Sequence, residues 1–522
     1  MPLWRRWGSF LGQLALPVLV GLLAAPRVEV GGTLLPWAPV MADLDVYIHT
    51  GQVVMAGGDI IAARAPGTGL AFVYPPFVAL LCVPLALLPV SVVQLGWVLL
   101  CVLTVYAVLH RIGLAGWVLS GVTAAVVWFV EPVHATIGFG QLGTVLVALV
   151  VLDLVPGPRL APWLFPRLFP RPAPGALSAA DAGAGAGTPT AVRPGRRGWL
   201  PVGSWSGLAA GSKLTPGLFL VMLLIARQWR AAIALAVVSG VTVTIGALVF
   251  PSASAHFVGT LLGGDTRTTE GLYYLTNQSL LGAVTRVAGE QAAPYGLPLA
   301  ALTALGGAWV AARAYRRGAL LLAVSLCGVA TLLASPISWT HHFVWVLPLA
   351  IALLGDQPLS KRLPDAMMVG APALARRYVP GTGLRLTGWL FVGWVSAAVF
   401  LQLLPYGGDA EPNYLPWQLA ISVLTPVLGL AVLLAAALDL RHPHPGSDDV
   451  RPDRRRPDHL GPDRRRPDHL GPDHLGPDHG HGDGDASGSL HSDGEVRAAA
   501  DAWAAGDARS DGDARVAGGS AR

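Results

Sequence analysis

Long apolar runs alternate with short polar stretches over the first 440 residues of this chain. The runs centre on residues 8–25, 74–89, 93–110, 113–130, 142–155, 200–226, 231–250, 293–312, 319–335, 342–355, 387–405 and 416–439. Many approach the ~20 residues that carry an α-helix across a bilayer. The pattern predicts an all-α, polytopic integral membrane protein of about twelve transmembrane helices over residues 1–440. The first run follows Arg5 and Arg6 and is expected to stay as an anchor, because no Ala-x-Ala cleavage site precedes a soluble domain.

Basic residues orient the spans. Arg227 and Arg230, the cluster Arg313, Arg316 and Arg317, and the loop from Lys361 to Arg385 read as cytoplasmic, where Lys and Arg accumulate. Alternation then puts Asp43, the loop 251–292, the turn 335–342 and the loop 406–415 outside, with both termini inside. Two paths satisfy this count. If 74–89 and 200–226 are each one span, the arginine-rich loop 156–199 falls outside, against the charge rule. If 74–89 is re-entrant and 200–226 breaks into two short spans near Lys213-Leu-Thr-Pro216, that loop is cytoplasmic. The second is preferred, since Pro216 stops a helix and Lys213 is costly at mid-bilayer.

Composition supports this class. The chain has 522 residues, 53% of them apolar, with mean hydropathy +0.54. Few soluble folds could bury so much apolar surface. Cys82, Cys101 and Cys327 lie inside apolar runs, which implies no disulfide framework. The net charge of +5 comes mostly from arginine between spans, so no nucleic-acid partner is expected. The loop 156–199, rich in Pro, Ala and Gly, reads as a disordered insertion. Residues 441–522 read as a disordered cytoplasmic tail able to touch anionic lipid. There RRRPDHLGPD occurs at 454–463 and again at 464–473, and HLGPD follows at 474–478. Its histidines match no closed metal site.

The first outer loop, 26–73, carries the main candidates for chemistry, Asp43 and Asp45. Loop acids are commonly just solvated. Here the alternating apolar residues of Asp43-Leu-Asp45-Val-Tyr47 argue for packing at the interface, and Gly51, Gly57 and Gly58 let the backbone turn closely. A hydroxyl becomes a nucleophile only as its proton leaves, and a positioned carboxylate contributes ~10²–10⁴-fold as a base.

DLDVYIHTG at 43–51 and GLAFVYPPFVALLCVPLALLP at 69–89 resemble the signature of the polyprenyl-phosphate-mannose-dependent α-mannosyltransferases of actinobacteria, glycosyltransferase family 87. The resemblance continues through Gly140-Gln141, GLAAGSKLTPGLFL at 207–220, Asn277-Gln278-Ser279-Leu280 and Ser335-Pro-Ile-Ser-Trp-Thr-His-His342. It spans roughly residues 10 to 440, with the blocks in the family's order. This chain departs at Asp59-Ile60, where the family commonly has Leu-Tyr, and at Leu281, where it tends to have arginine.

The resemblance implies a GT-C-like plasma-membrane enzyme with its site on the extracytoplasmic side. It would move mannose from polyprenyl-phosphate-mannose to a glycolipid or glycan hydroxyl, with inversion and mostly α-1,2 bonds. It implies Asp43 as the catalytic base and ranks Asp45 second. His341, His342 and Lys213 are candidates for the donor phosphate, with a helix N-terminus assisting the histidines. The plainer alternatives are an interfacial histidine and a snorkelling lysine. Gln141, Asn277 and Gln278 suit sugar hydroxyls. Tyr74 and Tyr47 could line the sugar or acceptor, while Tyr74-Pro-Pro-Phe77 also fixes the start of a helix. Arg267, Asp265 and Glu270 share the outer loop. No metal motif and no cofactor are expected. A flippase or transporter for polyprenyl-linked sugars, or a non-catalytic acceptor-presenting subunit, is the alternative. A transporter would more often have two repeated halves with broken helices, and no repeat is visible outside the tail.

Overall fold

The apolar runs fold into helices, because backbone in an apolar setting must satisfy its polar groups within its own segment. The computed structural model describes residues 3–27, 31–158, 200–263, 271–355, 378–407 and 410–441. All belong to one compact unit, Met1–Asp449. The predicted insertion from residue 159 on, the tail from 442, and Asp265, Arg267 and Glu270 lie outside the described residues. Among those described, extended pairing is limited to Gly32–Thr33 against Ala38–Pro39 and two isolated bridges.

Helix α1 is Leu3–Ala24, α2 Ala42–Met55, α3 Phe77–Ala86 and α4 Val90–Arg111. Helix α5, Gly116–Phe129, meets α6, Glu131–Phe139, at a 77° bend where Pro132 opens the second helix. Then come α7 Gly143–Leu154, α8 Ser204–Ser212, α9 Leu218–Ile225 and α10 Trp229–Val249. The main later helices are Ala293–Arg316, Leu320–Ala334, Val346–Leu354, Thr382–Ala397 and the bent pair Pro416–Ser422 with Leu424–Asp439. Among the described residues, 4 helices are long and apolar enough to cross a membrane, or 6 if each bent pair is one span. This is a mostly helical membrane protein in which several of the predicted runs form helices shorter than a bilayer. Run 74–89 condenses to α3, which reaches only ~15 Å.

Run 200–226 is broken. Lys213 is extended at φ −150°, ψ 132°, and a 3₁₀ turn, Thr215–Gly217, carries Pro216. Glycines reveal the direction of the arms. Gly203 lies against Ala231, Gly207 against Leu235 and Val238, and Gly211 against Thr242, each so close that a Cβ would collide. Helix α8 therefore runs parallel to α10, and α9 returns to the start of α10. Residues 204–225 form a helical hairpin with Lys213 at its tip.

Arginine-bearing helix ends gather at one end of the molecule. Arg111 donates to the carbonyls of Leu152 (2.9 Å) and Gly157 (3.2 Å) beyond α7. Asp153 accepts from the backbone N–H of Gly203 (3.0 Å) and Ser206 (2.9 Å) at the start of α8. Arg316 donates to Ile225 O (2.8 Å) and Arg313 to Leu440 O (3.0 Å). The hairpin tip, level with Thr242, stands roughly 20 Å from this end at 1.5 Å per residue along α10.

Candidate active site

The site begins at the first turn of α2. Met41, which precedes the helix, is buried and holds φ 47°, a left-handed conformation that strains a non-glycine residue. In the helix, Asp43 and Tyr47 are four residues apart and share a face, while Asp45 is turned away. The Asp45 carboxylate accepts from Gly67 N–H at 3.3 Å and holds the following loop. Helical geometry thus separates two acids that were adjacent candidates in the sequence.

Gly140 brings the next group in. It ends α6 at φ 70°, and a Cβ there would lie 2.5 Å from the Leu44 Cβ. Only glycine lets this turn pass so close to α2. The next residue, Gln141, is buried, and its Oε1 accepts from Tyr74 Oη (3.2 Å) and Leu142 N–H (3.3 Å), with Tyr47 Oη 3.5 Å away. Tyr47 Oη also lies 2.7 Å from Tyr74 Oη as a donor. The Gln141 amide acts on the Asp43 carboxyl and lowers its proton affinity. The Gln141 backbone carbonyl touches Cys101 Sγ at 4.0 Å, and Cys101 is roughly 15 Å up α4 from Arg111.

Lys213 arrives from the hairpin tip. Its ammonium acts on the Asp43 carboxylate, lies 5.8 Å from the Tyr74 ring centre and sits 2.9 Å from His342 Nε2. An ammonium can only donate, so His342 accepts at Nε2 and carries its proton on Nδ1. His342 Nδ1 and His341 Nε2 are buried and make no hydrogen bond among the described residues. The His341 ring packs on Phe139 (4.7 Å) and stands at 88° to the His342 ring. Beside Lys213 and His342 lies a cavity of about 20 Å³, bounded by Thr331, Leu332, Phe219 and Trp345. That is the room of about one water.

Asp43 itself is half-buried. Burial pushes its carboxyl up to about 6, against the opposing pull of Lys213 and the Gln141 amide. A carboxylate tuned there suits proton abstraction near neutral pH.

Asn277 and Gln278 are placed differently from the sequence expectation. Asn277 Nδ2 donates to the carbonyls of Leu272 (3.2 Å) and Pro336 (3.3 Å), and its Oδ1 accepts from the N–H groups of Ser279 (3.2 Å) and Ser338 (2.9 Å). That exhausts its capacity and leaves nothing for a sugar. Gln278, also buried, donates to the carbonyls of Leu275 and Ser422.

Sequence reading missed Arg286 and Glu411. Arg286 is buried and donates to the carbonyls of Tyr274 (2.8 Å), Asn277 (2.7 Å) and Ser422 (3.0 Å). Glu411 accepts from the N–H groups of Leu275 (3.1 Å) and Gly407 (3.0 Å). The available signal was an arginine one turn beyond Leu281, on the amphipathic helix Leu280–Ala288. With Asn277, these residues clamp the segment 272–279 to Pro336 and Ser338, to Gly407 and to Ser422. Among the described residues, no three His, Cys, Asp or Glu side chains gather as a metal site would require.

Comparison with known proteins places this geometry in context. The model of glycosyltransferase family 87 matches residues 72–336. A polyprenol-phosphate-mannose-dependent alpha-(1-2)-phosphatidylinositol pentamannoside mannosyltransferase of Mycobacterium tuberculosis is 31% identical, over 76% of this chain and 81% of its own. Its namesake in Mycolicibacterium smegmatis is 30% identical, over 74% and 82%. A polyprenol-phosphate-mannose-dependent alpha-(1-2)-phosphatidylinositol mannoside mannosyltransferase of Mycobacterium tuberculosis is 27% identical, over 83% and 95%. No solved structure matches. On the family match and on relatives that align along most of both chains, this protein belongs to glycosyltransferase family 87.

Proposed function

We propose that this glycosyltransferase moves mannose from polyprenyl-phosphate-mannose to a hydroxyl of a phosphatidylinositol mannoside or related envelope glycan, forming an α-1,2 bond. The names of its relatives support the donor, the acceptor class and the linkage. The observation that carries the mechanism is the Lys213 ammonium, 2.9 Å from His342 Nε2 and near enough to lower the proton affinity of Asp43, a carboxylate 170 residues earlier in the chain.

Asp43 takes the proton as the acceptor oxygen bonds to C1 of mannose. The bond from C1 to the phosphate oxygen breaks, and its electron pair leaves with the phosphate. A single displacement of this kind converts a β-linked donor into an α-linked product. Lys213 and His342, with His341 behind, meet the charge on the departing phosphate. A phosphate that draws Lys213 away from Asp43 would also strengthen the base, because the cation that held its proton affinity down has moved.

The excess of arginine makes its end cytoplasmic. Phe10 packs against Tyr106 near Arg111, and Leu440 bonds Arg313, which supports the start of α1 and the end of the last helix on that side. The chain then makes twelve crossings of the plasma membrane, with α3 re-entrant and α8 and α9 as short arms. The site lies 15–20 Å above the arginine end by helix rise. It is recessed toward the outer leaflet, where a lipid-borne phosphate could reach it sideways from the bilayer.

Membranes holding the protein, supplied with radiolabelled polyprenyl-phosphate-mannose and a panel of phosphatidylinositol mannosides, should form labelled product. GDP-mannose, with lipid-donor synthesis blocked, should give none. Asp43→Asn should lower transfer ~10²–10⁴-fold. Undiminished transfer by that variant removes Asp43 from the chemistry, and donor binding without any transfer by the native protein favours a carrier role.

A further inference from the structure

We infer that Gln141, pinned by the Tyr47–Tyr74 hydroxyl pair, is a positioning residue that holds one oxygen of Asp43 and leaves the other to take the acceptor's proton. The inference rests on Asp43 being the base. It assigns Gln141, Tyr47 and Tyr74 to the support of that base, where the sequence had suggested contact with sugar.

The surroundings determine which way the amide points. Its oxygen accepts from Tyr74 Oη at 3.2 Å and Leu142 N–H at 3.3 Å, with Tyr47 Oη 3.5 Å away and donating to Tyr74. The Leu142 N–H can only donate and an ionised Asp43 carboxylate can only accept, so the amide oxygen belongs at the first and the NH₂ group at the second. The NH₂ group is left for Asp43, which lies one turn before Tyr47 on the same face of α2 and whose proton affinity Gln141 lowers. Nor can the hydroxyls easily turn elsewhere. Tyr47 is wedged between the rings of Tyr74 (5.2 Å) and Trp97 (5.6 Å), and Tyr74 also packs on Phe72 (5.7 Å). The donors therefore run one way, from Tyr47 to Tyr74 to Gln141 to Asp43, and each polarises the next.

Other charged and titratable groups around Asp43 are accounted for. Lys213 faces it from the hairpin tip, and His342, with the adjacent His341, faces Lys213 from the 3₁₀ turn Thr340–Trp345. Asp45, on the same helix, is engaged with Gly67. Lys213 supplies charge but approaches from a chain break. Gln141 supplies a fixed direction, because Tyr74 and the Leu142 N–H hold its oxygen. Full burial of Gln141 and Tyr47 also leaves little surface for a sugar to touch.

The test is the pH dependence of kcat/KM for mannose transfer, which reports the free enzyme's base. In Gln141→Met the acid limb should move up by about one pH unit, since the ionised carboxylate loses a hydrogen bond. KM for donor and acceptor should change less than about threefold. In Tyr47→Phe/Tyr74→Phe the amide is present but released, and the limb should move in the same direction by about half as much. That variant keeps the inference testable if Gln141→Met does not fold. An unmoved acid limb in every variant that folds, or a loss confined to KM, overturns the inference and leaves Asp43 as base. Full transfer by Asp43→Asn overturns both.

Discussion

Two buried polar clusters stand on the site's side of the molecule, and they are wired differently. In the clamp, Asn277, Gln278, Arg286 and Glu411 bond almost entirely to backbone carbonyls and N–H groups. In the site, Tyr47, Tyr74 and Gln141, and likewise Lys213 and His342, bond to one another, and Gln141 and Lys213 set the proton affinity of Asp43. Side chains that satisfy backbone fix the path of loops. Side chains that meet side chains set charge states and proton positions. Polarity and burial alone would not have told the two clusters apart; the identity of the partners does.

Substitutions can break that contrast, and the largest effect is expected at Asp43. Beyond the loss of transfer in Asp43→Asn, the native rate should rise as pH passes about 6, where Asp43 gives up its proton. A base is active only when deprotonated, so the acid side is the one that loses activity. A pH–rate profile without a limb in that region would separate Asp43 from the rate-limiting chemistry.

Lys213→Met comes next. It removes the cation that faces both the carboxylate and the proposed phosphate, and kcat should fall ~10²-fold. The acid limb should also move up, because Lys213 lowers the proton affinity of Asp43. A change in KM alone would make the lysine a binding contact only.

A smaller effect is expected from Gly140→Ala. The added methyl would meet the Leu44 Cβ and push the α6–α7 turn away from α2. Misplacing Gln141 against Asp43 in this way should cost about tenfold or more in kcat, with expression and donor binding kept. Native activity would mean the turn has slack that the close packing conceals.

The clamp should respond least in rate. Asn277→Ala leaves buried N–H and C=O groups unpaired, a cost of ~1–3 kcal/mol each. Its thermal unfolding midpoint in detergent should drop, while transfer per folded molecule and the position of the acid limb stay unchanged. A moved limb would join the two clusters into one functional unit.

Much of this was legible before any coordinates. The helical membrane class followed from apolar run length. The break at Lys213-Leu-Thr-Pro216 was marked by a proline and a misplaced charge, and α8 and α9 do separate there. Asp43 was singled out by the first outer loop and the family pattern. The role of Asn277 was not legible, because an amide in a loop reads the same whether its partners are sugar hydroxyls or the carbonyls of Leu272 and Pro336. Arg286 was passed over because its partners include Ser422, far along the chain, and no spacing announces such a contact.

Sequence alone determined the elements, since apolar length, proline and glycine act on the backbone within a few residues of themselves. It could not decide between Asp43 and Asp45 as neighbours of the cation, nor orient the Gln141 amide. Those outcomes depend on α2, the α6–α7 turn and the tip of the α8–α9 hairpin packing together from distant parts of the chain. Only the folded arrangement brings Lys213 to one acid and Gly67 to the other, because a helix directs residues two apart toward different sides.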